Sequence, residues 1–167
     1  ADTGLKKDTI SVFPVTDYLL GQLKLIENLP VTPLRINEQQ GSIDSVWIKR
    51  EDVKNFAKPF LKPFIDSASL NKYYEGSSFL DQTLNAVTFS YTLLPGTPDS
   101  INLKEINVYI KPQTNEVDRI YLVKEDGGAQ QQLTWKSGKW FSIRTIKGTN
   151  VQEEKVKWNF DERNSDE

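Results

Sequence analysis

The chain has 167 residues, 21 of them basic and 23 acidic, for a formal net charge of −2, and 37% are apolar. That length supports one domain with its own core, no apolar run approaches the roughly 20 residues of a membrane-spanning helix, and the intermixed charges offer no basic footprint for a nucleic-acid backbone. Cys and His are both missing, which excludes disulfides, the usual zinc sites and catalysis built on a thiol or an imidazole.

Residues 1–12 are polar and without period, and are expected to form an arm ahead of a single domain spanning 13–162. The chain holds no Met, and its ADTGLKKDT opening is the start expected of a mature exported protein from which a signal peptide has been removed. In PVTDYLLGQLKLIENLP, residues Val15, Leu19, Leu23 and Ile26 fall at helical spacing. Thr16 can cap, Asp17 suits the first turn, and Pro30 lies just past the end. VTPLRINEQQGS carries turn chemistry and reads as a connection.

Glu51 and Asp52 suit the positive end of a second helix, with Val53, Phe56, Ala57 and Phe60 as its buried stripe. Two prolines, Pro59 and Pro63, fall in FAKPFLKPF. An interior Pro costs about 3 kcal/mol, whereas burying one Phe returns roughly 1.5 to 3 kcal/mol. One distortion is therefore tolerable and two are not, which predicts a disturbed helix at Pro59 and its end by Lys62. DSASLNKYYEGSSFLDQTLN predicts a helical turn near Leu70 to Tyr74, then a loop broken by Gly76, Ser77 and Ser78.

From Ala86 the period changes to two. AVTFSYTL alternates apolar and polar residues, and LKEINVYIK, EVDRIYLVK, QQLTWK, KWFSIRTIK and EEKVKWNF follow between turn segments, each reading as a strand. EVDRIYLVK is apolar on both faces and is expected in the interior of the sheet. The expected fold is α+β: N-terminal helices packed on a curved, mostly antiparallel sheet of about six consecutive strands. DERNSDE has no apolar residue, so 163–167 are expected to fray.

The chemical motifs are sparse. Glu116 and Asp118 can project from one strand face, as a hydrolytic carboxylate pair does, but Lys111 stands across the turn as a counter-ion. SGK at 137–139 lacks the first glycine of a phosphate-binding loop and joins two strands. EDGG at 125–128 lacks calcium-loop spacing and reads as a hairpin turn. No cofactor or metal site is expected.

QQQLTWKSGKWFSIRTI is the most informative stretch. A three-residue loop of Lys136, Ser137 and Gly138 would pair Trp135 with Lys139 and Leu133 with Phe141. It sorts Leu133, Trp135, Phe141 and Ile143 to the core and leaves Trp140 with Gln132, Thr134, Ser142 and Arg144 on the other face. Aromatic and Arg side chains dominate interaction hot spots, so Trp140, Arg144, Thr134 and Ser142 form the candidate ligand or partner site; the competing reading is that Trp140 packs beneath a loop or helix.

DSVWIKREDVKNFAKPFL, SFLDQTLNAVTFSY, VDRIYLVKED and LTWKSGKWFSIRT together resemble a group of exported, lipid-anchored proteins of Bacteroidetes bacteria, over about residues 15 to 161. The group has no assigned activity, so the resemblance transfers no functional residue. It implies a cell-envelope location, in the periplasm or on the outer surface, with any lipid anchor carried outside these 167 residues. The expected function is a non-enzymatic binding or interaction domain for a protein or small-molecule ligand. A small carboxylate-dependent hydrolase and a structural subunit of an envelope assembly are the alternatives.

Overall fold

A computed structural model describes residues 13–83 and 85–161; the expected arm (1–12) and tail (163–167) lie outside the described residues. Helix α1 runs from Val15 to Glu27 and buries Val15, Thr16, Leu19, Leu23 and Ile26, the stripe that the 3.6-residue period places on one side. Thr16 Oγ1 accepts from the Ile65 amide at 2.7 Å and so ties α1 to the later helices.

The second helical segment breaks as its prolines require. A 3-10 turn at Arg50–Asp52 leads into α2 (Val53–Phe56), and α3 (Lys58–Leu61) follows after an interruption at Ala57, with Lys62 already extended. Val53, Ala57 and Phe60 are buried and Phe56 is half-buried. Pro63 has no N–H to offer the Pro59 carbonyl four residues back; Lys124 Nζ donates to that carbonyl instead. Helix α4 (Ser67–Tyr73) starts on a capping box, Asp66 with Ser69, in which each residue satisfies the other's orphan amide.

The sheet is larger than the sequence predicts, with nine strands instead of about six, and it dominates the molecule. The strands are β1 (Leu34–Gln39), β2 (Ser42–Trp47), β3 (Tyr74–Asp81), β4 (Ala86–Leu93), β5 (Leu103–Lys111), β6 (Glu116–Asp126), β7 (Ala129–Lys136), β8 (Trp140–Lys147) and β9 (Asn150–Lys157). Their order is β2-β1-β9-β8-β7-β6-β5-β4-β3, and every pairing is antiparallel. The segment expected to be a connection, 31–42, holds β1 and the turn into β2, and the segment expected to be a loop after Tyr74 is β3. EVDRIYLVK is an interior strand, β6, as expected.

Strands β2 and β3 are the two edges, so the chain between Trp47 and Tyr74, which carries α2, α3 and α4, passes from one edge to the other. These helices and α1 pack on one face of the sheet, against Ile106, Val108, Ile120, Leu122, Leu133, Trp135, Phe141, Ile143 and Val156. Phe60 sits at the centre, with its ring edge-on to Trp135 at 5.2 Å and to Phe141 at 5.4 Å.

Candidate functional site

The β7–β8 hairpin closes differently from the expected register. Trp135 lies opposite Phe141, Leu133 opposite Ile143, Thr134 opposite Ser142 and Lys136 opposite Trp140. The loop is therefore Ser137, Gly138 and Lys139. The Lys139 amide donates to the Lys136 carbonyl at 3.1 Å, and Gly138 sits at the third position of that turn with φ +74°, where a Cβ is penalised. A shift of two residues preserves side-chain parity, so the faces sort as expected. The turn is also docked on α1, since Gly138 N–H donates to Gln22 Oε1 at 3.2 Å and the Tyr18 hydroxyl meets Ser137 Oγ at 2.6 Å. These two contacts to α1 lie outside the hairpin and are not legible in its own sequence.

No described helix packs on the face opposite α1 to α4, although Phe160, after β9, reaches Trp47 and Lys157 at its β2 end, and all four candidate residues lie on this face. One row across the sheet reads Ser90, Asn107, Tyr121, Thr134, Ser142, Lys155, Ile36 and Ser45. The rows on either side contain Lys136, Trp140 and Lys157, and Gln132, Arg144 and Glu153. Arg144 is exposed and Thr134 half-buried, whereas Ser142 and Trp140 are each only 9% exposed. Lys155 on β9 holds its ammonium 4.2 Å from the centre of the Trp140 ring, a cation–π contact. The buried Trp140 Nε1–H has no hydrogen-bond partner among the described residues. The Trp135 Nε1–H is in the same condition, but it lies inside the aromatic core against Phe60, Phe141 and Trp158.

Polar groups crowd the middle of this face. Ser90 Oγ donates to Asn107 Oδ1 at 2.6 Å, and Asn107 Nδ2 donates to Glu105 Oε2 at 2.6 Å. Burial pushes the Tyr121 phenol up; the Glu105 and Tyr109 charges add to the rise and Arg144 opposes it. At the end of the face, Arg144 lines a cleft of about 330 Å³ with Glu38, Val151 and Glu153. Glu38 and Glu153 stand directly opposite each other there, an arrangement that costs stability unless a cation lies near.

The other motifs take the places expected of structural groups. Glu116 is opposite Lys111 in the register, and Asp118 receives Lys136 at 3.0 Å and Lys111 at 3.8 Å. EDGG forms the tight β6–β7 turn, with Gly127 and Gly128 both at positive φ. Among the described residues no group of three or more His, Cys, Asp or Glu is placed to hold a metal ion.

Sequence reasoning missed Lys155, Lys157, Tyr109 and Tyr121 as members of this face. The signal was available in EEKVKWNF, where Val156 and Trp158 claim the core and a period of two sends both lysines to the opposite side. Comparison with known proteins returns no match: no family model, no curated protein and no solved structure is similar to the chain.

Proposed function

We propose that the protein is a non-enzymatic recognition domain of the cell envelope that binds its ligand on the uncovered sheet face, around Trp140, Ser142, Thr134 and Arg144. The observation that carries this reading is the group of side chains on the face opposite the helices, where the Trp140 ring carries the Lys155 ammonium 4.2 Å from its centre beside the hydroxyls of Ser142 and Thr134. Arg144, four residues farther along β8, adds an exposed positive charge, and Thr134 and Ser142 supply short hydroxyls that both donate and accept. The envelope location and export rest on the resemblance of the four sequence stretches described above.

The test is amide hydrogen exchange of the whole chain with and without a detergent-solubilised envelope fraction of the source cells. Protection of β7, β8 and β9 is expected, and the Arg144→Ala and Lys155→Ala variants should reduce it at least about tenfold, the equivalent of about 1.4 kcal/mol of binding. Absence of protection on these strands, or protection that both variants retain in full, overturns the site.

A further inference from the structure

The two edges of the sheet are unlike each other. Edge strands expose unpaired backbone groups, and proteins usually blunt them with Lys, Pro, bulges or a covering element. The β3 edge has Glu75 and Asp81 near its two ends and a Gly at position 76. Strand β2, SIDSVW, has no Lys, Pro, Gly or bulge and a single charge, Asp44, and all six of its residues are exposed. Ile43 is 68% exposed, Trp47 61% and Val46 50%. Trp47 is joined by Phe160, another exposed ring, at 6.0 Å.

The direction of the free backbone groups follows from the hairpin. Beyond the last paired residues, Ile48 N–H donates to the Pro33 carbonyl at 3.0 Å, in continuation of the β1–β2 register. Antiparallel pairs alternate between hydrogen-bonded and non-hydrogen-bonded, so the even-numbered residues of β2 direct their N–H and C=O groups at β1. Ile43, Ser45 and Trp47 direct theirs outward, where no described strand meets them. The side chains of these same three residues share the uncovered face of the sheet, because Trp47 is in line with Leu34, Lys157 and Trp140.

We propose that this edge is the interface for a second copy of the chain, two β2 strands pairing antiparallel about a two-fold axis through Ser45. In that register Ile43 faces Trp47 of the other copy, Ser45 faces its own equivalent, and Trp47 faces Ile43. Each opposed pair consists of residues with outward N–H and C=O groups and can exchange two hydrogen bonds. Apolar partners meet twice on one side of the sheet, a favourable cross-strand pairing, and on the other side Asp44 meets Val46. The neighbouring two-fold register, centred on Asp44, sets two carboxylates directly opposite and puts Ile43 on Ser45. Charge and apolar matching both favour the Ser45-centred pairing over the Asp44-centred one, and the interface is isologous, as a two-fold dimer demands. A foreign strand would gain the same backbone bonds, but the palindromic placement of Ile43, Ser45 and Trp47 is a property that only self-pairing uses.

Sedimentation across a wide protein concentration range, with amide exchange of β2, tests this. The wild-type chain is expected to dimerise as concentration rises, with Ile43, Ser45 and Trp47 amides gaining protection. Ser45→Pro removes one outward donor and leaves the bonds to β1 in place; it should raise the dimer dissociation constant at least about tenfold while melting temperature and circular dichroism stay near wild type. The chain has no cysteine, so Ser45→Cys introduces a unique thiol that should oxidise to a covalent dimer faster than the thiol of Asp44→Cys. A chain that stays monomeric throughout overturns the proposal and leaves the edge to a foreign strand. A dimer indifferent to Ser45→Pro overturns it by placing the interface elsewhere, and faster cross-linking by Asp44→Cys overturns the register.

Discussion

Lys124 lies 8% exposed beneath the helices, with its ammonium donating to the Pro59 carbonyl that Pro63 cannot serve. Burial lowers its pKa from 10.5 to about 8. The folded chain therefore releases this proton at a pH where the unfolded chain still holds it, and stability rises as pH increases from about 8 towards 10.5. Below that window the full penalty of the buried charge is present. Tyr74 acts in the opposite sense: its hydroxyl donates to the Leu103 carbonyl at 2.8 Å, and burial pushes its pKa from 10 up to about 12. The stability it contributes is complete below pH 10 and is lost between 10 and 12. Urea unfolding should show wild-type stability rising above about pH 8 by up to about 2 kcal/mol, then falling near and above pH 10 as Tyr74 and the other buried phenols, Tyr18, Tyr91, Tyr109 and Tyr121, ionise in the unfolded chain. The Lys124→Met variant should lack the rise. A wild-type profile as flat as the variant's would show that Lys124 keeps an ordinary pKa. The sequence makes Lys124 look like one more polar residue at a strand end; only the crossing of α3 over β6 makes it a buried cation.

At the scale of elements, legibility followed burial. Helix α1, the break before Pro59 and strands β4 to β9 were readable because each presents an apolar stripe or alternation to the core, or breaks where an interior Pro must. Strands β1 and β2 were not, since neither buries a residue fully. In β1 the apolar positions Leu34 and Ile36 belong to the uncovered face and Arg35 to the helix side, the reverse of the usual pattern. Strand β3 was hidden by Gly76, Ser77 and Ser78, which are held by pairing with β4 instead of by packing. Backbone hydrogen bonds and turn geometry define such strands. In the β1–β2 hairpin the two loop residues, Gln40 and Gly41, have φ of +52° and +82°, the left-handed pair of a type I′ turn. Gln tolerates this region poorly, while Asn occupies it readily. Gln40→Asn is therefore expected to stabilise the protein by a few tenths to about 1 kcal/mol, read as a higher urea midpoint with an unchanged slope. A midpoint that falls would mean that the Gln40 side chain, 3.4 Å from Asn150 Oδ1, holds the hairpin against the β8–β9 turn more strongly than backbone strain opposes it.

Across the whole molecule, the meander from β3 to β9 follows chain order and each strand meets its sequence neighbour. The joining of β1 to β9 does not, and nothing local in LRINEQ names a partner 119 residues away. Arg35 makes that junction specific. Its Nε donates to Glu154 Oε2 at 2.8 Å, its Nη2 pairs with the same oxygen, and its guanidinium lies 5.0 Å from the centre of the Phe56 ring on α2. One side chain thus couples the first strand, the last strand and the helical crossing that links the sheet's two edges. Its parts are incompletely buried, with side-chain exposures of 29% for Arg35 and 21% for Glu154; the expected contribution is that of a charge-assisted hydrogen bond with ring stacking, not of a deeply buried ion pair. Arg35→Ala should cost about 1 to 3 kcal/mol of global stability. In a double-mutant cycle with Glu154→Gln the coupling should reach about 1 kcal/mol, above the 0.3–0.5 kcal/mol to which independent sites add. Amide exchange in Arg35→Ala should accelerate in β1 and β2 and remain slow in β5 to β8, because the meander keeps its own pairings. If the two substitutions add, or if β5 to β8 loosen along with β1, then Arg35 does not fasten the N-terminal hairpin to an otherwise self-sufficient sheet, and the hairpin is part of the sheet's common core.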